Sequence, residues 1–590
     1  MPFQVSPGVN VSEIDLTTIV PAVATSLAGI SFPTEWGPAN EPVLIDTPKE
    51  FRRIFGDIKE WNAANYMTAL NFMGYSRGLL MVRAMDPANA RNANTGGITS
   101  ATASALNDQV DLTTKNTLGF VARYGGEKGD SLAVSVASFG VTGSWSYYNS
   151  FGRAPGSTEN LVNLIDGLTT NDQIHVVVLD EDGLFTGTKN EVLERFENVS
   201  MHPRARRVNG ESLYYKNVIN NTSEYIKVSG SLDASDADKT GFVTIFGSSG
   251  LGLTAVNSSN WETEYDFGTP TETPFKTVSL TGGTGQDYKG NRTNTSQGKT
   301  IGYAQLADAE KIDVNLILSG DITGSTEIQE LKGLVETRKD AIAFFSAPIG
   351  REGKNVTNKT DSEKADLCVS FKSDLGSSSY CIVDSGYKKQ FDPYTQVNRW
   401  VPLNGDTAGL VARTEANRDA WFSPAGYNRG ILRDSNSALG FNPSKVFRDR
   451  IYAKGINPII TERNTGTILL GDKTALSKPS AFDRINVRRL FIVLEKAIAT
   501  ASKYSLFEFN DAFTRGRFVS LVSPFLEDVK ARRGLIDFKV VCDTSNNTPE
   551  RIDRNEFYAD IYIKPNRSIN YVQLNFIATR SGASFSEVGG

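Results

Sequence analysis

Val9 and Val11 alternate with Asn10 and Ser12 in the segment SPGVNVSEIDLTTIV, which is the period of a strand. Pro7 and Gly8 precede the alternation and Pro21 closes it. A single strand cannot bury its apolar face alone, so the pattern predicts an arm that a sheet elsewhere completes. Helical spacing first appears at Tyr66, Leu70 and Met73, within EWNAANYMTALNFMGYSRG, and the run GLLMVRAMDP after it predicts a buried strand. From about Ala88 to Thr300 Asn, Thr, Ser and Gly dominate. Short strands are expected there at QIHVVVLD (173–180) and TGFVTIFG (240–247), with recurrent turn signals, so one or two inserted β-rich domains are predicted.

The pattern changes again at 301–346. The strand KIDVNLILSG precedes a helix, STEIQELKGLVETRKD, with Ile328, Leu331 and Val335 on one face, and the buried strand AIAFFSAP follows. That order is a βαβ unit with a parallel sheet. Further on, 481–511 reads as one long amphipathic helix, with Val487, Leu490 or Phe491, Leu494, Ile498 and Ala501 on a stripe and Asp483 as its N-cap. Two strands follow. DFKVVCD turns Phe538, Val540 and Cys542 one way; EFYADIYIKP turns Phe557, Ala559, Ile561 and Ile563 one way and Tyr558, Asp560 and Lys564 the other. INYVQLNFIAT (569–579) places Val572, Leu574 and Phe576 on a single face.

Composition narrows the function. The chain has 590 residues, beyond the ~100–200 of one domain, so three or four domains are expected. Hydrophobic residues make up 39% and charged residues 22%, enough for globular cores. A net charge of −5 argues against a nucleic-acid binder. No run approaches the ~18 apolar residues of a membrane helix, and MPFQVSPGVNVSEID lacks the basic start of a signal peptide. Neither membrane insertion nor secretion is expected. Cys368, Cys381 and Cys542 are too scattered for a disulfide framework and read as small core residues in a reducing compartment.

Candidate chemistry is sparse. His175 sits in an apolar strand and reads as a satisfied core residue; His202, in SMHPRARR, reads as solvated. Neither has metal-ligand spacing with a partner. Gly298, Lys299 and Thr300 resemble the end of a phosphate loop, but Thr293 stands where that loop requires glycine. With two histidines so placed, a Ser-His-Asp triad has no base, and no carboxylate pair is singled out by spacing. No catalytic, cofactor-binding or metal-binding residue is expected. The cluster Lys530, Arg532 and Arg533 reads either as a solvated turn or as a positive patch that docks on an acidic partner. Arg484 and Arg488 share a helix face suited to carboxylates of a neighbouring element.

Four stretches, FDPYTQVNRWVPLNGDTAGLVART (391–414), WFSPAGYNRG (421–430), LLGDKTALSKPSAFDRINVRRLF (469–491) and VCDTSNNTPERIDRNEFYADIYIKPNRSINYVQLNFIAT (541–579), together resemble the tail sheath proteins of contractile-tailed bacteriophages, in their T-even-like branch. The resemblance is specific over about 385–590 and looser at SPGVNVSEID and WGPANEP; 88–300 carries no assignable motif.

The resemblance implies an α+β / α/β multidomain protein. Its divisions would be an N-terminal arm (1–20), an α/β middle domain in two parts (21–87 and 301–385), inserted β-rich outer domains (88–300), a core domain facing the tube (386–567) and a C-terminal arm (568–590). It implies a structural, non-enzymatic subunit that polymerises helically around an inner tail tube in a metastable extended state. Contraction then drives the tube through the host envelope. The implied partners are other copies of the chain, the tube protein, and baseplate and tail terminator proteins; the implied location is the virion, after assembly in the host cytoplasm. Val9, Val11, Ile14, Leu16, Val572, Leu574 and Phe576 would be the buried faces of lent strands. Trp400, Trp421 and Tyr427 would be packing anchors of a structural and interface loop spanning Val401–Gly430, and Arg413, Asn428 and Arg429 its hydrogen-bonding positions. Lys530, Arg532 and Arg533 would touch the tube. Two other readings remain open: the sheath of a phage-derived bacterial injection device, and a virion protein that binds or hydrolyses glycans through 88–300.

Overall fold

The computed structural model describes residues 26–86, 90–95, 119–160, 171–201, 205–229, 274–285, 295–296, 299–300, 302–322, 324–349, 359–433, 438–570 and 573. The chain forms two compact units. The larger runs Thr25–Arg413 and Ala425–Ser477; the smaller holds Thr414–Pro424 and the chain from Lys478 on.

The larger unit begins with β1 (Ala28–Phe32), β2 (Pro42–Ile45), α1 (Pro48–Phe55), α2 (Ala63–Met73) and β3 (Leu79–Arg83). α1 is specified locally. Thr47 Oγ accepts from Glu50 N–H at 3.2 Å, Pro48 opens the first turn, and Gly56 at φ 80° ends the helix. Its buried face is Phe51 and Phe55, packed on each other and, through Phe51, on Phe32 and Tyr66. The inserted segment supplies β4 (Gly119–Ala122), β5 (Leu132–Ala137), β6 (Gln173–Asp180), β7 (Glu191–Ser200), α3 (Tyr215–Thr222), β8 (Ile226–Ser229) and β9 (Phe275–Ser279). These make an antiparallel sheet in the order β7-β6-β5-β9 and a β4–β8 pair, so the turn-rich segment is rich in strands. The predicted strand at 240–247 lies outside the described residues.

After a short hairpin, β10 (Thr295–Ser296) and β11 (Lys299–Thr300), come β12 (Leu316–Leu318), α4 (Ser325–Arg338), β13 (Ile342–Ser346), α5 (Asp361–Leu375) and β14 (Cys381–Asp384). β12–α4–β13 is the predicted βαβ unit, with parallel pairing. The sheet is larger than that motif: its order is β18-β14-β13-β12-β1-β3-β2, all parallel except β2. β1, β12, β13 and β14 are buried throughout, the mark of a parallel sheet covered on both faces. Ile328, Leu331 and Val335 of α4 and Ala365, Cys368 and Phe371 of α5 pack with Ile317, Phe345 and Val383 in one core. α5 opens on a reciprocal capping box between Thr360 and Glu363.

The same unit continues through β15 (Tyr387–Asp392), β16 (Val397–Pro402), α6 (Asn404–Asn417) as far as Arg413, β17 (Ala438–Leu439), α7 (Lys445–Ala453), β18 (Ile456–Asn457), β19 (Ile459–Glu462) and β20 (Gly466–Leu469). Because β18 pairs with β14, the unit reaches Ser477, and the boundary expected at 385/386 does not coincide with the division at 477/478.

The smaller unit contains α8 (Ile485–Ser502), α9 (Ala512–Ala531), β21 (Leu535–Val541), α10 (Pro549–Asp553) and β22 (Asp560–Pro565). The single helix expected over 481–511 is corrected: α8 ends at Ser502, and Phe507 adopts a left-handed φ of 68° in the turn before α9. Asp483 is not the N-cap of α8. It closes a three-residue turn capped by Ser480, whose Oγ accepts from Phe482 N–H, and Arg484 stands at the cap position. The expected stripe is buried as predicted at Val487, Leu490, Leu494, Ile498 and Ala501. The three cysteines are free and buried.

Candidate assembly interface

The stretch Val401–Gly430 is not one loop. Its first half is α6, and the glycines that suggest a loop are packing notches. A Cβ on Gly405 would lie 2.4 Å from Thr68 O, and one on Gly409 would lie 2.4 Å from the Tyr75 ring. Spaced one turn apart, they let α6 approach α2 and the turn behind it at backbone distance. Gly430 would place a Cβ 2.7 Å from Leu469 O, so β20 passes equally close to the far end of the stretch.

The six expected anchor and hydrogen-bonding residues separate. Trp400 lies half-buried in β16 opposite Lys389. Arg413 donates to the carbonyls of Arg429 at 2.8 Å and Ile431 at 2.7 Å, and its guanidinium sits over the Tyr75 ring. Arg429 therefore contributes its backbone carbonyl to this clamp. Tyr427 is exposed and donates to Glu462 Oε1 at 3.1 Å; Asn428 beside it is exposed. Trp421 is the buried anchor of the smaller unit. It packs with Leu490, Leu494, Phe518, Val522 and Leu535, and its Nε1 donates to Arg532 O at 3.2 Å.

The cations before the last strands are not three free charges. Lys530 Nζ is 3.5 Å from Asp537 Oδ1 and 3.8 Å from Glu527 Oε1. Arg532 contacts Asp419 at 2.7 Å and Asp528 at 2.6 Å, and its guanidinium lies 5.0 Å above the Trp421 ring. Arg533, at φ 68°, is in the position after the C-cap of α9, where glycine is usual. Its N–H reaches Lys530 O at 3.0 Å and that of Gly534 reaches Val529 O at 2.8 Å, closing a Schellman motif. The Arg533 side chain is exposed and has no ion pair among the described residues. On α8 the buried carboxylate contact falls to Arg489, which pairs with Glu415, while Arg484 reaches Asp483 and Arg488 lies over the Phe482 ring.

Two further surfaces belong to the smaller unit. β21 and β22 form a two-stranded antiparallel sheet, and among the described residues no other strand pairs with either outer edge. Its inner face, Phe538, Val540, Ile561 and Ile563, packs on the core, as the alternation predicted, while Ile536 and Tyr562 are exposed. Between the end of α8 and the first turn of α9, Tyr504, Leu506, Phe507, Phe509 and Phe513 all stand exposed. A concentration of exposed large apolar side chains marks a contact surface; five such residues within ten positions were the available signal. Val9, Val11, Ile14, Leu16, Val572, Leu574 and Phe576 lie outside the described residues.

The family profile described as phage tail sheath C-terminal domain matches residues 477–579, the main segment of the smaller unit. The chain is 30% identical to the tail sheath protein of Vibrio phage KVP40 and 31% identical to that of Enterobacteria phage T4, with 99% of each chain covered in both comparisons. Among solved structures it is similar to a sheath tail protein from Desulfitobacterium hafniense at 11% identity, covering 91% of this chain and 94% of that one with a TM-score of 0.47. On the full-length similarity to the phage proteins, this chain belongs to the tail sheath protein family of contractile-tailed bacteriophages.

Proposed function

We propose that the chain acts without chemistry, as a protomer that lends its terminal strands to neighbouring copies and polymerises helically around an inner tube. The observation that carries this reading is the two-stranded β21–β22 sheet, which has a packed inner face and, among the described residues, unpaired edges. An open edge recruits a strand. Ordering an arm costs on the order of 1–2 kcal/mol per residue, which a lone arm does not recover. Added to β21 or β22 of a neighbour it gains ladder hydrogen bonds and buries Val9, Val11 and Ile14, or Val572, Leu574 and Phe576. An arm of ~15 residues spans ~50 Å when extended, long enough to reach an adjacent protomer.

In this reading the protomers assemble in the host cytoplasm into an extended sheath between baseplate and terminator, and contraction is rigid-body repacking about the paired strands. The inserted region at 88–300 is the outer part, and the smaller unit, with Lys530, Arg532 and Arg533, faces the tube. No catalytic residue or cofactor takes part.

Deleting residues 1–20 tests the arm. Truncated protein should be a soluble, folded monomer by calorimetry and sedimentation and should form no tubes by electron microscopy. Ordered tubes from the truncated chain would overturn strand lending.

A further inference from the structure

The larger unit holds a cleft of about 790 Å³ that assembly through terminal strands does not use. One wall is α1, which presents Lys49, Arg52 and Arg53; the other is the start of the inserted region, with Arg123 and Lys128. Its floor is an aromatic cluster. Trp36 meets Tyr124 and Phe185 edge-on at 5.2 and 5.0 Å, and Phe185 meets Tyr225 edge-on at 5.3 Å. Tyr394 closes one end beneath Arg52, whose guanidinium is 4.5 Å from the ring centroid.

The cleft is built in advance. Arg83 is fully buried, and its guanidinium donates to the carbonyls of Thr34 at 2.9 Å, Gly37 at 2.8 Å and Gly125 at 2.8 Å. One side chain thus ties the Trp36 loop to the opposite wall. Glu35, next to Trp36, receives Lys59 at 2.9 Å and Lys128 at 3.6 Å from either side.

The charges select the ligand. Five cationic side chains line the cleft with two carboxylates, Asp57 and Glu224; Arg52 is paired with Asp57 at 2.5 Å, Arg53 with Glu224 at 3.0 Å and Lys128 with Glu35 at 3.6 Å, so the cationic excess rests on Lys49 and Arg123, in a chain whose net charge is −5. That excess favours an anion. The volume lies within the ~300–1,000 Å³ of small-ligand sites. Asp57 and Glu224, already accepting from Arg52 and Arg53, disfavour a bare phosphate, while their remaining lone pairs accept hydrogen bonds from hydroxyl groups. A ligand that satisfies both sets of partners carries negative charge and many hydroxyls, and a pyranose ring presents C–H faces to Tyr225 and Tyr394. We propose that this cleft binds a segment of an acidic oligosaccharide, a binding function separate from assembly.

The test is calorimetric titration of the full-length chain with trigalacturonic acid, maltotriose, inorganic phosphate and hexaglutamate. Trp36 emission gives a second readout, isolated by comparison with Trp36→Phe. Trigalacturonate should bind at least tenfold more tightly than the other three and change Trp36 emission. Lys49→Glu/Arg53→Glu, at two exposed positions, should weaken that binding at least tenfold; Tyr225→Ala should weaken it severalfold at unchanged charge. Lys445→Glu, remote on α7, should leave it intact. Absence of trigalacturonate binding overturns the proposal. So does equal binding of hexaglutamate or phosphate with indifference to Tyr225→Ala, which would make the cleft an electrostatic sink for any anion.

Discussion

Glu415, in the last turn of α6, holds the guanidinium of Arg489, a side chain with no solvent exposure on α8. The pair joins the 414–424 segment to the helices of the smaller unit. Removing one partner of a buried pair strands the other charge, at about 3–5 kcal/mol. Glu415→Ala is therefore expected to lower the unfolding free energy of the smaller unit by that order, read as a fall in its denaturation midpoint. Arg489→Met/Glu415→Leu should recover most of the loss, since an apolar pair of similar volume strands no charge. Chemical denaturation of the two variants checks both outcomes; a double variant as weak as the single one would show that geometry, not charge, dominates.

How far the sequence led is visible in the same elements. The β12–α4–β13 unit was legible because continuous apolar strands alternate with a helix whose Ile328, Leu331 and Val335 share a face. α6 was hidden because Gly405 and Gly409 weaken helical propensity, and only the close approach of α2 reveals their use. α9 was hidden by Pro524 inside it and by the exposed aromatics before it, which extended the apolar pattern of α8 past its true end. The Glu415–Arg489 pair links positions 74 apart, and no local period encodes it. The cleft likewise assembles α1 with loops of the insertion, so it has no signature in any single segment.

His175 predicts a pH dependence. Its Nε2 lies 2.8 Å from Arg153 O and its Nδ1 accepts from Asn198 N–H at 3.1 Å, so the ring is neutral with the proton on Nε2. Phe151 stacks on it at 4.1 Å, nearly parallel. Burial pushes the imidazole below its ordinary value, against the hydrogen bond to Arg153 O and the charge of Glu197, which raise it, and Arg153 lowers it slightly more. Below the unfolded-state value of about 6.5 the unfolded chain takes up a proton that the folded chain refuses. Stability of the inserted sheet should then fall as pH drops from about 7 toward 5 and be flat above. His175→Gln keeps a donor and an acceptor but does not titrate. It should lose that slope, at a fixed cost for the missing stacking, in thermal melts across the same range.

Asp384 behaves oppositely. It is fully buried at the end of β14; burial, with Asp406 nearby, raises its carboxyl well above the usual range despite donors from Gly386 N–H at 3.0 Å and Ser346 Oγ at 2.9 Å. An acid raised in the fold contributes its full stabilisation below its unfolded value, near 3.9, and loses it progressively as pH rises from there through the folded value. Asp384→Asn should therefore match the parent near pH 4 and equal or exceed it at pH 7. Asp384→Ala leaves the Ser346 and Gly386 donors unpaired and should cost about 1–3 kcal/mol at both. Urea midpoints at the two pH values distinguish these outcomes.

Arg533 separates a structural role from a tube-facing one. A non-glycine residue in the left-handed conformation carries about 1 kcal/mol of strain, so Arg533→Gly should hold or raise the melting temperature of the smaller unit. Lys530 and Arg532 already spend their charge on Asp537, Asp528 and Asp419, so Arg533 contributes the least compensated charge of the three. If the patch meets an acidic tube, Arg533→Glu should lower sheath–tube assembly more than Arg533→Gly does. That gap should be widest at low ionic strength and close toward ~1 M salt, where the screening length shrinks to ~3 Å. Reversing Lys530 or Arg532 should instead unfold local ion pairs and lower the melting temperature first. Assembly assayed by light scattering across salt, beside melts of each variant, tells the two apart. Equal assembly of Arg533→Glu and Arg533→Gly at every salt concentration would leave Arg533 a helix-terminating residue and nothing more.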